Sequence, residues 1–170
     1  MTALLRLFLD LCRLRAAPQD LPSATALAGW TAGLYTAVSA LAYRMLYPMG
    51  SPLLAAVADA LVLIAFVLVA LRVTGKPARA AQTLSALFGA SIVFALLLLA
   101  LLGWAPAAGA DGTPSPVAGL LSLALAIWQI VVFAHILRHA LEVNYLMAGA
   151  ITFGYVVVSG ALIETLLGSA

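Results

Sequence analysis

One uncharged apolar run constrains this chain more than any other feature. It extends from Ala81 to Trp104, about 24 residues without an Asp, Glu, Lys or Arg. Because an α-helix rises about 1.5 Å per residue, the run would be about 36 Å long as a helix, which is enough to cross a hydrocarbon core of about 30 Å. A basic turn (Arg72 to Arg79) precedes it, and a Pro/Gly-rich segment with one acid and no base (residues 105–116) follows. The run therefore predicts a membrane-spanning helix.

The composition excludes an ordinary soluble domain. Of 170 residues, 65% are hydrophobic and 8% are charged, whereas soluble domains average about 45–50% apolar and about 25% charged residues. A net charge of +2, with the basic residues beside apolar runs, predicts no nucleic-acid partner. Cys12 is the only cysteine, so no intramolecular disulfide is possible. Charged residues interrupt the first apolar stretch, so we expect no signal peptide.

The remaining apolar runs predict an all-α membrane protein with five transmembrane helices, preceded by an N-terminal amphipathic interfacial helix. The predicted spans form one domain, 24–167, and cover residues 24–47, 53–71, 81–104, 117–137 and 145–167. Asp59 lies inside the second span, where an acid near the centre costs about 2.5–3.5 kcal/mol of insertion free energy. The Leu, Val, Ile and Phe residues of that span outweigh this cost.

The N-terminal segment, residues 1–17, has its first charges on one helical stripe, because Arg6, Asp10 and Arg13 are separated by four and three residues. One interpretation is a helix in the lipid headgroup region, with Arg6, Arg13 and Arg15 directed toward anionic lipid. The other is a helix packed against the membrane domain itself. The sequence leaves both open.

The distribution of positive charge predicts the orientation. One side of the predicted bundle carries the basic residues Arg6, Arg13, Arg15, Arg72, Lys76, Arg79 and Arg138. The other side carries only Arg44. Basic residues are enriched in cytoplasmic loops, so we expect a cytoplasmic N-terminus and, after an odd number of spans, an external C-terminus.

Small residues recur along the first predicted span. Gly29, Gly33, Ala37 and Ala40 share one face. Such rows allow a second helix to approach closely in a membrane. The row predicts association with another membrane protein or with a second copy of the chain.

Three charges fall inside predicted spans, all toward their outer ends: Arg44, Asp59 and Glu164. Charges at membrane depth usually face the bundle interior and pair, so we expect a mutual cluster. One interpretation is a proton or ion site, or an outward-facing polar pocket. The other, which the sequence favours, is an ion pair that sets helix register, with Glu164 reaching the interface.

A second polar group lies at the inner end of the fourth span. His135, Arg138, His139 and Glu142 recur at helical spacing. Two histidines one turn apart and a carboxylate can ligate a metal, but a zinc site usually needs a third protein ligand and supporting hydrogen bonds. We therefore expect an interfacial polar cap, with no metal and no cofactor.

Short motifs that mark common enzymes are missing from the sequence. It contains no HExxH, GxSxG or phosphate-binding Walker loop, so we do not expect an enzyme. The leading hypothesis is a non-catalytic adaptor, scaffold or accessory subunit that acts through protein or lipid contacts. The alternative is a small oligomeric transporter or channel that uses Arg44, Asp59 and Glu164.

Two stretches resemble the Yip domain family of integral membrane proteins, including its bacterial members. They are Gly75-Lys-Pro-Ala-Arg-Ala-Ala-Gln82-Thr-Leu-Ser-Ala-Leu-Phe and Ala126-Ile-Trp-Gln-Ile-Val-Val, which leads to Leu137-Arg138-His139-Ala140. Five closely spaced spans with a cytoplasmic N-terminus are also similar to that family. The resemblance extends over residues 24–167 and implies a membrane adaptor without catalytic residues. We expect a bacterial inner membrane, in which the orientation predicted from charge places the C-terminus in the periplasm. The N-terminal segment lacks the Asp-Leu-Tyr-Gly-Pro motif of eukaryotic members, which argues against a vesicle-trafficking role.

Overall fold

Helix boundaries in this chain follow its prolines and glycines. Pro52 and Pro116 each begin a helix, since proline lacks only an N–H that the first turn leaves unpaired. Gly75 has a φ of +72°, a backbone angle that favours glycine, and it lies just after a helix end. The turns between apolar runs are therefore encoded locally.

The computed structural model describes residues 2–47, 51–104 and 115–167, and this part of the chain is helical without strands. The six α-helices are α1 (Thr2–Cys12), α2 (Thr25–Leu46), α3 (Pro52–Val73), α4 (Ala80–Trp104), α5 (Pro116–Leu141) and α6 (Tyr145–Leu167). Short 3₁₀ turns, Pro18–Asp20 and Pro77–Arg79, precede α2 and α4. Most of the predicted turn at 48–52 and loop at 105–116 lies outside the described residues.

Four helices of the described chain are long and apolar enough to cross a membrane: α3, α4 with its preceding turn, α5 and α6. They establish a multi-pass membrane protein by length and composition. With 22 residues, α2 is as long as α3. However, α2 is not among the four, because threonine, serine and glycine replace much of the leucine and valine. The fifth span thus stays a prediction.

The fourth span ends later than the sequence indicated. We expected it to end at Leu137, but α5 continues through Leu141. The side chains of Lys76 and Arg79 donate hydrogen bonds to carbonyls of the last turn of α5. These bonds satisfy carbonyl groups that a helix end otherwise leaves unpaired, and so they extend α5.

The bundle is packed tightly at one end and loosely at the other. Every residue from 132 to 137 in α5 is buried, whereas none from 116 to 131 is. At the tight end, called here the basic end, α3 finishes at Val73 and α5 at Leu141. The opposite end, called the far end, contains the beginnings of α3 and α5. The hydrophobic core therefore sits toward the basic end.

The helix α1 packs against α4 and α5. A Cβ atom added at Gly89 of α4 would overlap the ring of Phe8, so glycine is what allows α1 to approach. The side chains of Leu11 and Cys12 are buried, while those of Arg6 and Arg13 are exposed. One face of α1 is thus a protein contact.

The segment after α1 follows α5 toward the basic end. Trp128 Nε1 donates to the Cys12 carbonyl over 2.9 Å, and Gln19 Nε2 donates to the His139 carbonyl over 2.8 Å. Trp128 and His139 are about 16 Å apart along a helix axis, at about 1.5 Å per residue. Of the two interpretations of residues 1–17, packing against the membrane domain is the one that this geometry supports. The Arg15 side chain is exposed here as well.

Burial of α1 predicts that Cys12 reacts slowly. Burial raises the pKa of its thiol to about 11, and the thiolate is the reacting form, so maleimide labelling in mild detergent at pH 7.5 is expected to be roughly 100-fold slower than for an exposed thiol. Gly89→Leu should displace Phe8, undock α1 and speed labelling at least tenfold (about 1.4 kcal/mol). Mass spectrometry of timed samples measures the rate.

The matched control is Gly103→Leu on the same helix, where an added Cβ meets nothing within 4 Å. It should leave the labelling rate unchanged. Rapid labelling of the unmodified protein would contradict the docked position of α1.

Candidate functional site

Asp59 is the buried acid of the membrane-spanning helices. It lies on the inward face of α3, in a row with Ala56, Ala60, Leu63 and Val67, all of which are buried. The Asp59 side chain is 2% exposed. Since an isolated carboxylate is very costly to bury, its surroundings must supply hydrogen bonds or charge.

Four hydroxyl groups surround the Asp59 carboxylate, and we call Tyr35, Tyr43, Tyr155 and Ser159 the hydroxyl cage. Tyr35 and Tyr43 of α2 donate to Oδ2, the latter over 3.4 Å. Tyr155 of α6 donates to Oδ1 over 3.0 Å, and Ser159 donates to the same oxygen. Each carboxylate oxygen therefore accepts two bonds, and the site joins α2, α3 and α6.

Aromatic contacts hold the cage tyrosines in place. The Tyr35 ring lies 5.3 Å from that of Phe88 on α4, centroid to centroid. The Tyr155 ring contacts Phe66 at 5.8 Å and Phe133 at 5.9 Å. Such aromatic pairs contribute about 0.5–1.5 kcal/mol beyond area burial. They fix the ring positions, so that the hydroxyls point at the carboxylate.

A cavity of about 240 Å³ adjoins the hydroxyl cage. Its other described lining residues come from α5 and α6: Ala126, Gln129, Ile130, Phe133, Val156, Gly160 and Ile163. Ala126, Val156 and Gly160 are exposed. The cavity therefore opens between α5 and α6, where the half of α5 toward the far end is loosely packed.

A second cavity of about 150 Å³ lies on the α4 side. It shares Tyr35, Tyr43, Ala126 and Gln129 with the first, so the two are neighbours. Ser91 lines it, and the hydroxyl of Ser91 is buried without a hydrogen-bond partner among the described residues. Buried hydroxyls are rarely left unpaired, so this wall is suited to a small polar molecule.

The predicted cluster of Arg44, Asp59 and Glu164 takes a different form. The Arg44 and Glu164 side chains are exposed, whereas Asp59 is buried. The hydroxyl cage, rather than a cation, supplies the hydrogen bonds to Asp59. A neutral cage avoids desolvating a second charge, which often costs more than a buried ion pair gains.

The polar group on α5 separates into two parts. His135 is buried, its Nε2 lies 3.0 Å from the Ala16 carbonyl, and its ring centroid is 4.6 Å from that of His139. The Arg138 guanidinium stacks 4.6 Å above the Tyr145 ring. These contacts tie α5 to the N-terminal segment and to α6, so His135 is part of the packing.

Glu142 faces the other way, toward the turn before α4. Its carboxylate lies 2.5 Å from Lys76 Nζ and 2.6 Å from Arg79 Nη2. Hydrogen bonds from Lys76 and then Arg79 hold the pKa of this exposed carboxyl below its ordinary value. No three His, Cys, Asp or Glu side chains in the described ranges are close enough to hold a metal ion.

Sequence reasoning missed the hydroxyl cage but had a signal for it. Tyr43 lies near the end of the first predicted span, where tyrosines commonly form an interfacial aromatic belt, yet its hydroxyl turns inward to Asp59. Measured along each helix from the far end, Asp59, Tyr35 and Tyr155 all lie at depths of about 10–18 Å, at about 1.5 Å per residue. Comparing depths across neighbouring spans would have placed these groups together.

Comparison of the chain with protein-family models, curated proteins and solved structures found no match. The site is therefore interpreted from its own geometry.

Removing the carboxylate should destabilise the bundle. Asp59→Ala leaves the buried hydroxyls of Tyr35, Tyr155 and Ser159 without their acceptor, at a cost of about 0.6–3 kcal/mol each. We expect the Tm in mild detergent, followed by tryptophan fluorescence, to fall by roughly 5 °C or more. Asp59→Asn keeps one carbonyl acceptor, so its Tm should fall less than that of Asp59→Ala.

Glu164→Ala removes an exposed acid at the same end and serves as the control, with an unchanged Tm expected. Equal Tm values for wild type and Asp59→Ala would contradict the role of the cage in stability.

Proposed function

We propose that this multi-pass membrane protein binds a small polar solute or cation beside Asp59 and acts as a small transporter or channel. The observation that carries the proposal is a buried carboxylate at membrane depth that adjoins a cavity of about 240 Å³. Ionisable groups at such depth commonly mark substrate or ion pathways. Of the two hypotheses drawn from the sequence, we therefore propose the transporter or channel rather than the adaptor, with Asp59 at the centre of its site.

A purely structural carboxylate would explain the hydroxyl cage but not the adjoining space. Protein interiors are close-packed, and voids larger than a water molecule are few. Here the side of the hydroxyl cage that faces α5 is open. The half of α5 toward the far end, residues 116–131, contributes no buried residue. The opening supports a site that admits a ligand.

We further propose that the protein is not an enzyme. The described lining of the cavity combines one carboxylate with hydroxyls, an amide and apolar groups. This set contains no pairing of nucleophile and base in hydrogen-bond reach of the kind that covalent catalysis uses. Binding, rather than bond making, is what such groups support.

The topology belongs to the same proposal. We propose that α2 is a fifth span, that the basic end faces the cytoplasm with its arginines near anionic lipid, and that the membrane is a bacterial inner membrane. We also propose that the chain is related to the Yip domain family, because the stretches that begin at Gly75 and Ala126 resemble it. In support, Lys76 and Arg79 contact the end of α5, so they share one end with Arg138.

Flux measurements test the transport proposal. Proteoliposomes containing the wild-type protein should dissipate an imposed gradient of at least one cation among H⁺, Na⁺, K⁺ and a small organic ammonium ion. Asp59→Asn should lower that rate by roughly tenfold or more, because it removes the charge at the site. A pH-sensitive dye and ion-selective electrodes measure the rates. Asp10→Asn, an acid of α1 outside the cavity, is the matched control and should keep the wild-type rate.

Equal flux in wild type and Asp59→Asn, or no flux above empty liposomes for any ion tried, would contradict the transport proposal.

One observation favours an adaptor or scaffold as a second candidate. On α2, Gly29, Gly33 and Ala37 are exposed and Ala40 is half-buried. A Cβ added at Gly29 or Gly33 meets nothing within 4 Å. The row of small residues thus faces away from the bundle, where a helix of another membrane protein or of a second copy can approach closely.

A bulky residue on this row tests self-association. Gly33→Leu should fold normally but raise the dimer dissociation constant in detergent by about tenfold, because it blocks close backbone approach. Sedimentation equilibrium measures the constant. Gly119→Leu on α5, where an added Cβ also meets nothing, should have no effect. A monomeric wild type that captures no membrane partner in a mild-detergent pull-down would contradict this candidate.

A further inference from the structure

The cavity beside the hydroxyl cage is lined by one formal charge and by four aromatic rings. Asp59 is the charged group among its described lining residues, and the rings are those of Tyr35, Tyr43, Phe133 and Tyr155. An aromatic ring presents a negative face to a cation, and aromatic walls recognise ammonium groups in many proteins. The lining therefore combines a carboxylate with aromatic side chains, two kinds of group that occur together in ammonium-binding sites.

The hydroxyl cage strengthens this character. All four hydroxyls direct their protons at the carboxylate, so their oxygen lone pairs remain available to an N–H donor or to a cation. In a membrane-embedded site of low dielectric constant, an uncompensated negative charge attracts a positive ligand strongly. Among the described residues that line the cavity, no cation accompanies Asp59, and a positively charged ligand would supply one.

The size of the cavity selects among cations. A dry cavity of about 150 Å³ holds benzene, so 240 Å³ accommodates a ligand of roughly six to ten non-hydrogen atoms. A bare alkali ion would leave most of this space empty, and alkali ions are usually bound by rings of oxygen atoms. Here Ile130, Val156 and Ile163 form part of the wall, and such side chains suit alkyl groups.

We propose that this cavity is a binding site for a small organic ammonium ion, with its nitrogen beside Asp59 and its alkyl groups against the apolar wall. The inference rests on the proposed function, for which it names the substrate class. The opening between α5 and α6, at Ala126, Val156 and Gly160, is the route of entry.

Gly160 offers a variant that blocks the site without disturbing the hydroxyl cage. An ideal Cβ at Gly160 meets nothing within 4 Å, so a leucine there is accommodated by the backbone while its side chain occupies the rim of the cavity. Gly154 lies on the same helix, also has open space at its Cβ, and is not among the lining residues. Gly154→Leu is therefore the matched control.

The test is isothermal titration calorimetry of the full chain in mild detergent, with triethylammonium, tetraethylammonium, Na⁺ and K⁺ titrated as chloride salts. We expect an ammonium ion to bind at least tenfold more tightly than Na⁺ or K⁺, because its alkyl groups fill the cavity and contact the apolar and aromatic wall. Asp59→Asn should weaken ammonium binding at least tenfold. Gly160→Leu should abolish binding, and Gly154→Leu should retain it. Thermal melts confirm that each variant is folded.

The possible results distinguish failure of the ammonium-binding inference from failure of the proposed transport function. No ammonium binding, binding no tighter than that of Na⁺ or K⁺, or binding unaffected by Gly160→Leu would overturn the inference. If proton or alkali-ion flux still depended on Asp59 in that case, the transport proposal would stand with a different substrate. If flux were also independent of Asp59, both the ammonium-binding inference and the transport proposal would be contradicted.

Discussion

The structure depends on how one carboxylate is kept inside an apolar bundle. Asp59 is buried on α3, and its oxygens accept hydrogen bonds from two tyrosines of α2 and from a tyrosine and a serine of α6. Without these donors the charge would have to reach solvent or be neutralised. The requirement sets the rotation of three helices about their axes, since each must present its hydroxyls at the same depth.

The packing of the bundle differs between its two ends. Toward the basic end, α5 is buried from Val132 to Leu137, and α1 covers α4 and α5. Toward the far end, α5 has no buried residue and lies outside the bundle core. The tight half holds the helices in register, and the cavity at Asp59 lies in the loose half, so that the packed core and the cavity are located at different depths of one bundle.

The basic end shows that a charged group can serve helix geometry. Lys76 and Arg79 contact both the Glu142 carboxylate and backbone carbonyls of the last turn of α5. These two residues therefore lengthen α5 by one turn and hold the short connection before α4 against it. His135, by its hydrogen bond with the Ala16 carbonyl, similarly holds the N-terminal segment against α5.

The sequence by itself determined that the chain is a multi-pass helical membrane protein, because long uncharged runs leave a chain no other way to satisfy its backbone in lipid. It also singled out Asp59, because an acid within an apolar span is costly wherever the span packs. Only the tertiary structure decided what surrounds that acid. Arg44 looked like the partner by charge and position, yet the contacts came from Tyr35, Tyr43, Tyr155 and Ser159. The partners belong to helices 16 or more residues away along the chain, and their rotation is set by packing that hydropathy does not record.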